Sequence, residues 1–235
     1  ILVCPSTVAD AKMKMYNLDG SEGKMCGNGI RCVGKFLYDH GMVDINEKDE
    51  ITIETLSGIK KLKAYTSGGK VNRLRVDMGK AILDPKEIPV VLDGDKVVDR
   101  PVEIAGKNYN ITCVSMGNPH CVVFMDDIDN LDIETVGPEF ENDKLFPERV
   151  NTEFVTVLDD HTIKMRVWER GSGETWACGT GACAVAVAAC ENGFCKKGED
   201  IKIKLKGGDL IINYTDETVY MTGNAEKVFE GEVEV

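Results

Sequence analysis

The sequence predicts an α+β fold of two pseudosymmetric halves, each a mostly antiparallel sheet wrapped around a central helix. Three observations point there. Short runs that alternate apolar and polar residues recur along the chain. Only two segments break that alternation with helical spacing. Both of those segments open on the same Cys-Gly-x-Gly turn. With 235 residues, 43% hydrophobic and 29% charged, the chain can bury a sizeable core without disulfide or metal support.

The elements follow in chain order. Ile1-Leu2-Val3 opens mid-pattern as a strand and without an initiator Met, so native sequence is expected before Ile1. Strands are expected around Ile51 and Ile53, around Leu74 and Val76, around Ile163 and Met165, and around Ile201 and Ile203, each with polar residues between the apolar ones. That period of two marks half-buried sheet, and clean alternation favours antiparallel pairing. Turns are marked by Ser67-Gly68-Gly69, Asp93-Gly94 and Gly207-Gly208. One helix is expected from about Gly27 to His40, stopped by Gly41. The other is expected from about Gly179 to Asn192, stopped by Gly193. Residues 182–190 of the second are apolar on every side, which requires a buried helix clothed by sheet. Cys26 precedes Gly41 by the same interval as Cys178 precedes Gly193, and Gly-Ser pairs (Gly20-Ser21, Gly171-Ser172) lead into both turns. The economical reading is an internal repeat. Its boundary is expected near Gly79 to Pro89, where Pro85 and Pro89 interrupt the strand pattern.

Charge excludes several function classes. The chain carries 28 basic and 40 acidic residues, net −12. A nucleic-acid partner needs a basic footprint, and an anionic membrane surface repels such a chain. No apolar run approaches a membrane span, and no basic-then-apolar leader opens the sequence. Nine cysteines show no paired Cys-x-x-Cys spacing, and there are three histidines, so no metal site is expected. Reduced thiols in a cytoplasmic protein are expected instead. Cys32, Cys183, Cys190 and Cys195 read as packing residues.

The chemistry gathers at the two helix starts. The first N–H groups of a helix lack internal partners and carry partial positive charge. A thiol there is expected to have a lowered pKa, beside a natural cradle for a carboxylate. Pseudosymmetry would turn both starts toward one cleft, the expected active site. Two sulfurs would then flank the α-carbon of a bound carboxylate, one removing a proton and the other delivering one. No lysine motif for pyridoxal phosphate is apparent, so no cofactor is expected. Gly179-Thr180-Gly181 with the acids Glu199 and Asp200 also fits a loose dinucleotide fingerprint, but no parallel strand pattern follows it.

The motifs around the two turns resemble those of diaminopimelate epimerases. The first runs from Asn17 through Asp19-Gly20-Ser21 to Met25-Cys26-Gly27-Asn28-Gly29-Ile30-Arg31-Cys32. The second runs from Glu169-Arg170-Gly171 through Glu174-Thr175 to Ala177-Cys178-Gly179-Thr180-Gly181. Gly117-Asn118-Pro119-His120, residues 150–154 (Val-Asn-Thr-Glu-Phe) and Asp77-Met78-Gly79 also fit. The resemblance implies a cofactor-independent isomerase that interconverts LL- and meso-diaminopimelate, a precursor of lysine and peptidoglycan. It implies Cys26 and Cys178 as the acid/base pair, with His120 and Glu169 assisting, Glu169 also holding the reacting ammonium. It implies backbone donors to the reacting carboxylate at Gly27, Asn28, Gly179 and Thr180. Asn17, Asn118, Asn151 and Arg170 would hold the far end of the substrate, Arg170 through its distal carboxylate. Glu174 is expected to support the turn. The family's last strand returns to the first half, which sets the halves at 1–80 with 224–235, and 81–223. The partner is a small-molecule substrate, with no nucleic acid and no membrane, and the oligomeric state stays open, a homodimer included. Two rivals remain at this stage: an amino-acid racemase like those acting on proline, and a non-catalytic anion- or dinucleotide-binding protein.

Overall fold

The computed structural model describes residues 1–16, 20–45 and 50–233. It is sheet-dominated and mixed in strand direction, with helices over Gly27–Asp39 (α1), Ile133–Glu141 (α2) and Gly179–Glu191 (α3). The chain forms two compact units: Ile1–Val76 with the chain from Thr222 onward, and Asp77–Met221.

The first unit contains β1 (Leu2–Cys4), β2 (Ala11–Tyr16), β3 (Glu22–Gly23), β4 (Ile51–Thr55), β5 (Gly58–Ser67) and β6 (Lys70–Asp77). Its strands lie in the order β1-β2-β4-β5-β6, with β3 paired to β2. The pairings are antiparallel except β2 with β4, which is parallel. The register sets Ile51 opposite Leu62 and Leu62 opposite Val76, and all three are buried. Helix α1 covers β4 and β5 with one stripe, Ile30, Val33 and Leu37. That stripe has the spacing of a one-sided helix. The approach is close at Gly34, where a Cβ would lie 2.6 Å from Leu74 Cδ2.

The second unit contains β7 (Arg100–Ile104), β8 (Lys107–Ser115), β9 (Pro119–Phe124), β10 (Asn151–Asp159), β11 (Thr162–Glu169), β12 (Gly173–Thr175), β13 (Asp200–Leu205) and β14 (Gly208–Tyr214). The order is β14-β13-β11-β10-β9-β8-β7, with β12 on β11. Two pairings are parallel, β9 with β10 and β11 with β13. Strand β15 (Val219–Asn224) carries the chain back toward the first unit's residues. Helix α3 contacts β8, β9, β10, β13 and β14, and Ala182 through Ala189 are fully buried. Alternation is lost where burial is two-sided: β9 is buried along Pro119 to Val123, and β10 along Asn151 to Val155.

Helix α2 corrects the expectation of only two helices. Its nine residues hold Gly137 and Pro138, which mask helical spacing in sequence. It forms because Ile133, Val136 and Phe140 enter one core cluster with Ile104, Ile111 and Phe154. Glycine at 137 is required by contact: a Cβ there would lie 2.3 Å from the Trp168 ring. Both glycine stops are as expected, with Gly41 at φ 66° and Gly193 at φ 77°. No described helix is long and apolar enough to cross a membrane.

Candidate active site

The starts of α1 and α3 share one local geometry. Cys26 is the N-cap of α1 at φ −135°, ψ 114°. Cys178 is the N-cap of α3 at φ −120°, ψ 112°. Each sulfur accepts the N–H of the residue three positions on, Gly29 or Gly181, at 3.3 Å. Neither first turn carries an acidic residue. Ser, Thr, Asp or Asn normally fills this position, because oxygen is the better acceptor. Two thiols at two N-caps therefore carry a cost in helix stability relative to the usual oxygen caps. The loop before Cys178 is tied down by the N–H of Gly207 donating to the Trp176 carbonyl at 2.8 Å.

In the second unit, a chain of side chains leads to the Cys178 sulfur. The parallel register places Asn151 beside His120 and Glu153 beside Val122. Period-two alternation puts His120, Asn151 and Glu153 on one face. His120 and Glu153 are fully buried. His120 Nδ1 lies 2.7 Å from Glu153 Oε1, and its Nε2 lies 3.1 Å from Asn118 Oδ1. Asn118 Nδ2 donates to Thr180 Oγ1 at 3.3 Å. Thr180 Oγ1 lies 3.5 Å from Cys178 Sγ. The Thr175 hydroxyl donates to Glu169.

The free-protein thiol at 178 differs from the expectation. Burial pushes it well up, the carboxylates of Glu169 and Glu153 push it further, and hydrogen bonds from Thr180 and Gly181 oppose them. The hydrogen bonds from Thr180 and Gly181 do not outweigh the loss of water. Burial likewise pushes the Glu153 carboxyl up, against the pull of His120.

The remaining candidates fall as follows. Gly27 and Gly179 are buried at the first helical positions, with Asn28 and Thr180 half-buried beside them. Asn151 is buried and serves the fold directly: its Nδ2 donates to the Pro119 carbonyl at 2.8 Å, and its Oδ1 accepts the Arg170 N–H at 3.0 Å. The Arg170 guanidinium donates to the Glu148 carbonyl at 2.8 Å. Glu174 pairs with Arg166 at 2.8 Å and Lys206 at 2.7 Å, supporting the strand before the Cys178 turn. Asn17 lies outside the described residues. Cys183 is buried, but Cys32 is exposed on α1, a correction to its reading as a packing residue. One residue was missed. Glu153 is an acid between Thr152 and Phe154 in the buried half of β10; its polar neighbours Asn151 and Thr152 give no local sign of burial, so only the fold points to it.

The family model described as diaminopimelate epimerase matches residues 1–83 and 112–228. A diaminopimelate epimerase of Agathobacter rectalis is 51% identical over 244 residues, covering 100% of this chain and 84% of the relative. That of Acetivibrio thermocellus is 53% identical over 237 residues, covering 100% and 83%. This chain belongs to the diaminopimelate epimerase family. Solved structures widen the fold group. A probable proline racemase from Agrobacterium radiobacter aligns with TM-score 0.72 and 16% identity over 94% of this chain and 72% of that one. A PhzF-family phenazine biosynthesis protein from Bacillus anthracis aligns with TM-score 0.69 and 19% identity over 99% and 83%. At those identities they show the fold alone.

Proposed function

We infer that this chain epimerises diaminopimelate at one α-carbon without pyridoxal phosphate, in the cytoplasm, supplying meso-diaminopimelate for lysine. The observation that carries the reading is the pair of N-cap thiols, Cys26 and Cys178, held in matching geometry in a chain about half identical to named diaminopimelate epimerases.

In this reading one thiolate takes the α-hydrogen, breaking the C–H bond and leaving the electron pair on carbon. The carboxylate becomes enolate-like, and the first-turn N–H groups at Gly27, Asn28, Gly179 and Thr180 stabilise its charge. The other thiol gives its proton to the opposite face, so the two sulfurs exchange protonation states in each turnover. The thiol form favoured at Cys178 by burial suits it to start as the acid. His120 and Glu169 assist, Glu169 holding the reacting ammonium. Arg170 with Asn17, Asn118 and Asn151 holds the distal end.

The test is exchange of the α-hydrogen of diaminopimelate in heavy water, followed by NMR. The parent chain should exchange and invert, and proline should do neither. Cys26→Ala and Cys178→Ala should each lose inversion by about 1000-fold, within the range for positioned acid–base groups. Full inversion in either variant overturns the mechanism.

A further inference from the structure

Glu153 has no task in the reaction as drawn so far, and its surroundings are unusual. It is fully buried at the first turn of α3, where a Cβ on Gly181 would lie 2.6 Å from Glu153 Oε1 and 3.2 Å from Cys178 Sγ. A side chain at 181 would thus displace the carboxylate, so the glycine makes room for it. Among the described residues, Glu153 Oε2 is buried with no hydrogen-bond partner. A buried carboxylate in that condition is expensive to keep, and its one bonded oxygen points at His120.

The donors in this cluster run in a single direction. A proton is shared between Glu153 Oε1 and His120 Nδ1 at 2.7 Å. His120 Nε2 faces Asn118 Oδ1 at 3.1 Å. That oxygen can only accept, so Nε2 must carry a hydrogen. The other end of the amide, Nδ2, donates to Thr180 Oγ1. The Thr180 hydroxyl hydrogen remains available to donate to Cys178 Sγ, 3.5 Å away.

We propose that Glu153 is a positioning residue: it anchors His120, and through Asn118 it turns the Thr180 hydroxyl onto the Cys178 sulfur as a donor to the thiolate. The proposal rests on the two-thiol reading for its catalytic meaning, but its geometry lies wholly within the second unit. Other titratable groups near this cluster are Glu169 on β11, which acts on Cys178 and Glu153, and Cys121 on β9, which is paired with Cys113 on β8. Neither lies in the relay.

Simple Coulomb repulsion and the relay predict opposite signs. Glu153 repels a thiolate at 178, so by charge alone Glu153→Leu should ease ionisation of that sulfur. If the relay operates, Glu153→Leu removes the anchor and ionisation becomes harder. The readout is the rate of iodoacetamide alkylation at Cys178, located by mass spectrometry and followed between about pH 7 and 9. The relay predicts a rate about tenfold lower at each pH for Glu153→Leu and for Thr180→Val, the size expected of a lost bond to a charged group. Glu153→Asp should fall between these and the parent. Thr180→Val tests the far end without touching the buried acid, so it stands if Glu153→Leu folds poorly. In epimerisation, Thr180→Val should lower kcat about tenfold with KM within about twofold. An alkylation rate at Cys178 that is unchanged or raised in Thr180→Val overturns the relay. Inversion that survives Cys178→Ala overturns the two-thiol reading instead, and leaves the alkylation result to decide the relay.

Discussion

At the start of α1, the glycine two positions past the cap residue's neighbour, Gly29, faces a flexible aliphatic group: a Cβ there would lie 2.4 Å from Ile1 Cδ1. At the start of α3, the matching Gly181 faces the buried carboxylate of Glu153. The backbone at the two caps is nearly the same, and each sulfur takes the same N–H bond. Backbone geometry is therefore a local property of the Cys-Gly-x-Gly turn. What governs the sulfur's protonation is burial and the carboxylates laid near it by distant strands, here Glu169 of β11 and Glu153 of β10 beside α3.

The sharpest way to break this comparison is to add one methyl group at each start. Gly181→Ala should lower epimerisation kcat/KM by about 100-fold or more, because the carboxylate and the sulfur it meets are both buried and cannot yield, and small displacements of this kind cost that much. Gly29→Ala should stay within about threefold of the parent, since the end of an isoleucine can rotate away. Equal losses in both variants would show that the glycines serve only the backbone turn.

A second contrast lies along the helices themselves. Helix α1 buries one stripe, whereas α3 is enclosed on all sides. Ala186→Leu on α3 should destabilise the fold by about 1–3 kcal/mol through overpacking. Cys32→Ala on the exposed side of α1 should change it by less than about 0.5 kcal/mol. Urea unfolding of both variants measures the difference.

The smallest expected effect concerns the loop that carries Cys178. Burial pushes the Glu174 carboxyl up, but Arg166 and Lys206 outweigh it and hold it below the ordinary range. A depressed folded-state value contributes stability above the unfolded carboxylate value, about 4.3. That contribution is lost as pH falls through the lower folded value. Glu174→Gln should remove about 1 kcal/mol at neutral pH and flatten the acid limb of the stability curve below about pH 4.3. A parallel downward shift at every pH, with the acid limb intact, would place the Glu174 contribution elsewhere.

Much of the fold could be read from the chain. Alternation located β4, β6, β11 and β13, and glycine at 41 and 193 marked where α1 and α3 stop, because these signals are local. Helix α2 was invisible because Gly137 and Pro138 weaken every local helical preference, and its packing against Phe154 and Ile104 comes from residues far away in sequence. The parallel pairing of β9 with β10 was hidden for the same reason. Local pattern also could not tell that position 32 faces solvent while position 183 does not.

The sequence by itself determined the two capped turns, their thiols and their membership in the diaminopimelate epimerase family, because each depends on residues adjacent in the chain. Tertiary structure alone decided that Glu153 and His120 lie over one of those turns, and that the Cys178 thiol is pushed up and not down. Desolvation and charge act through space, and the groups responsible lie on strands brought together only when the chain folds.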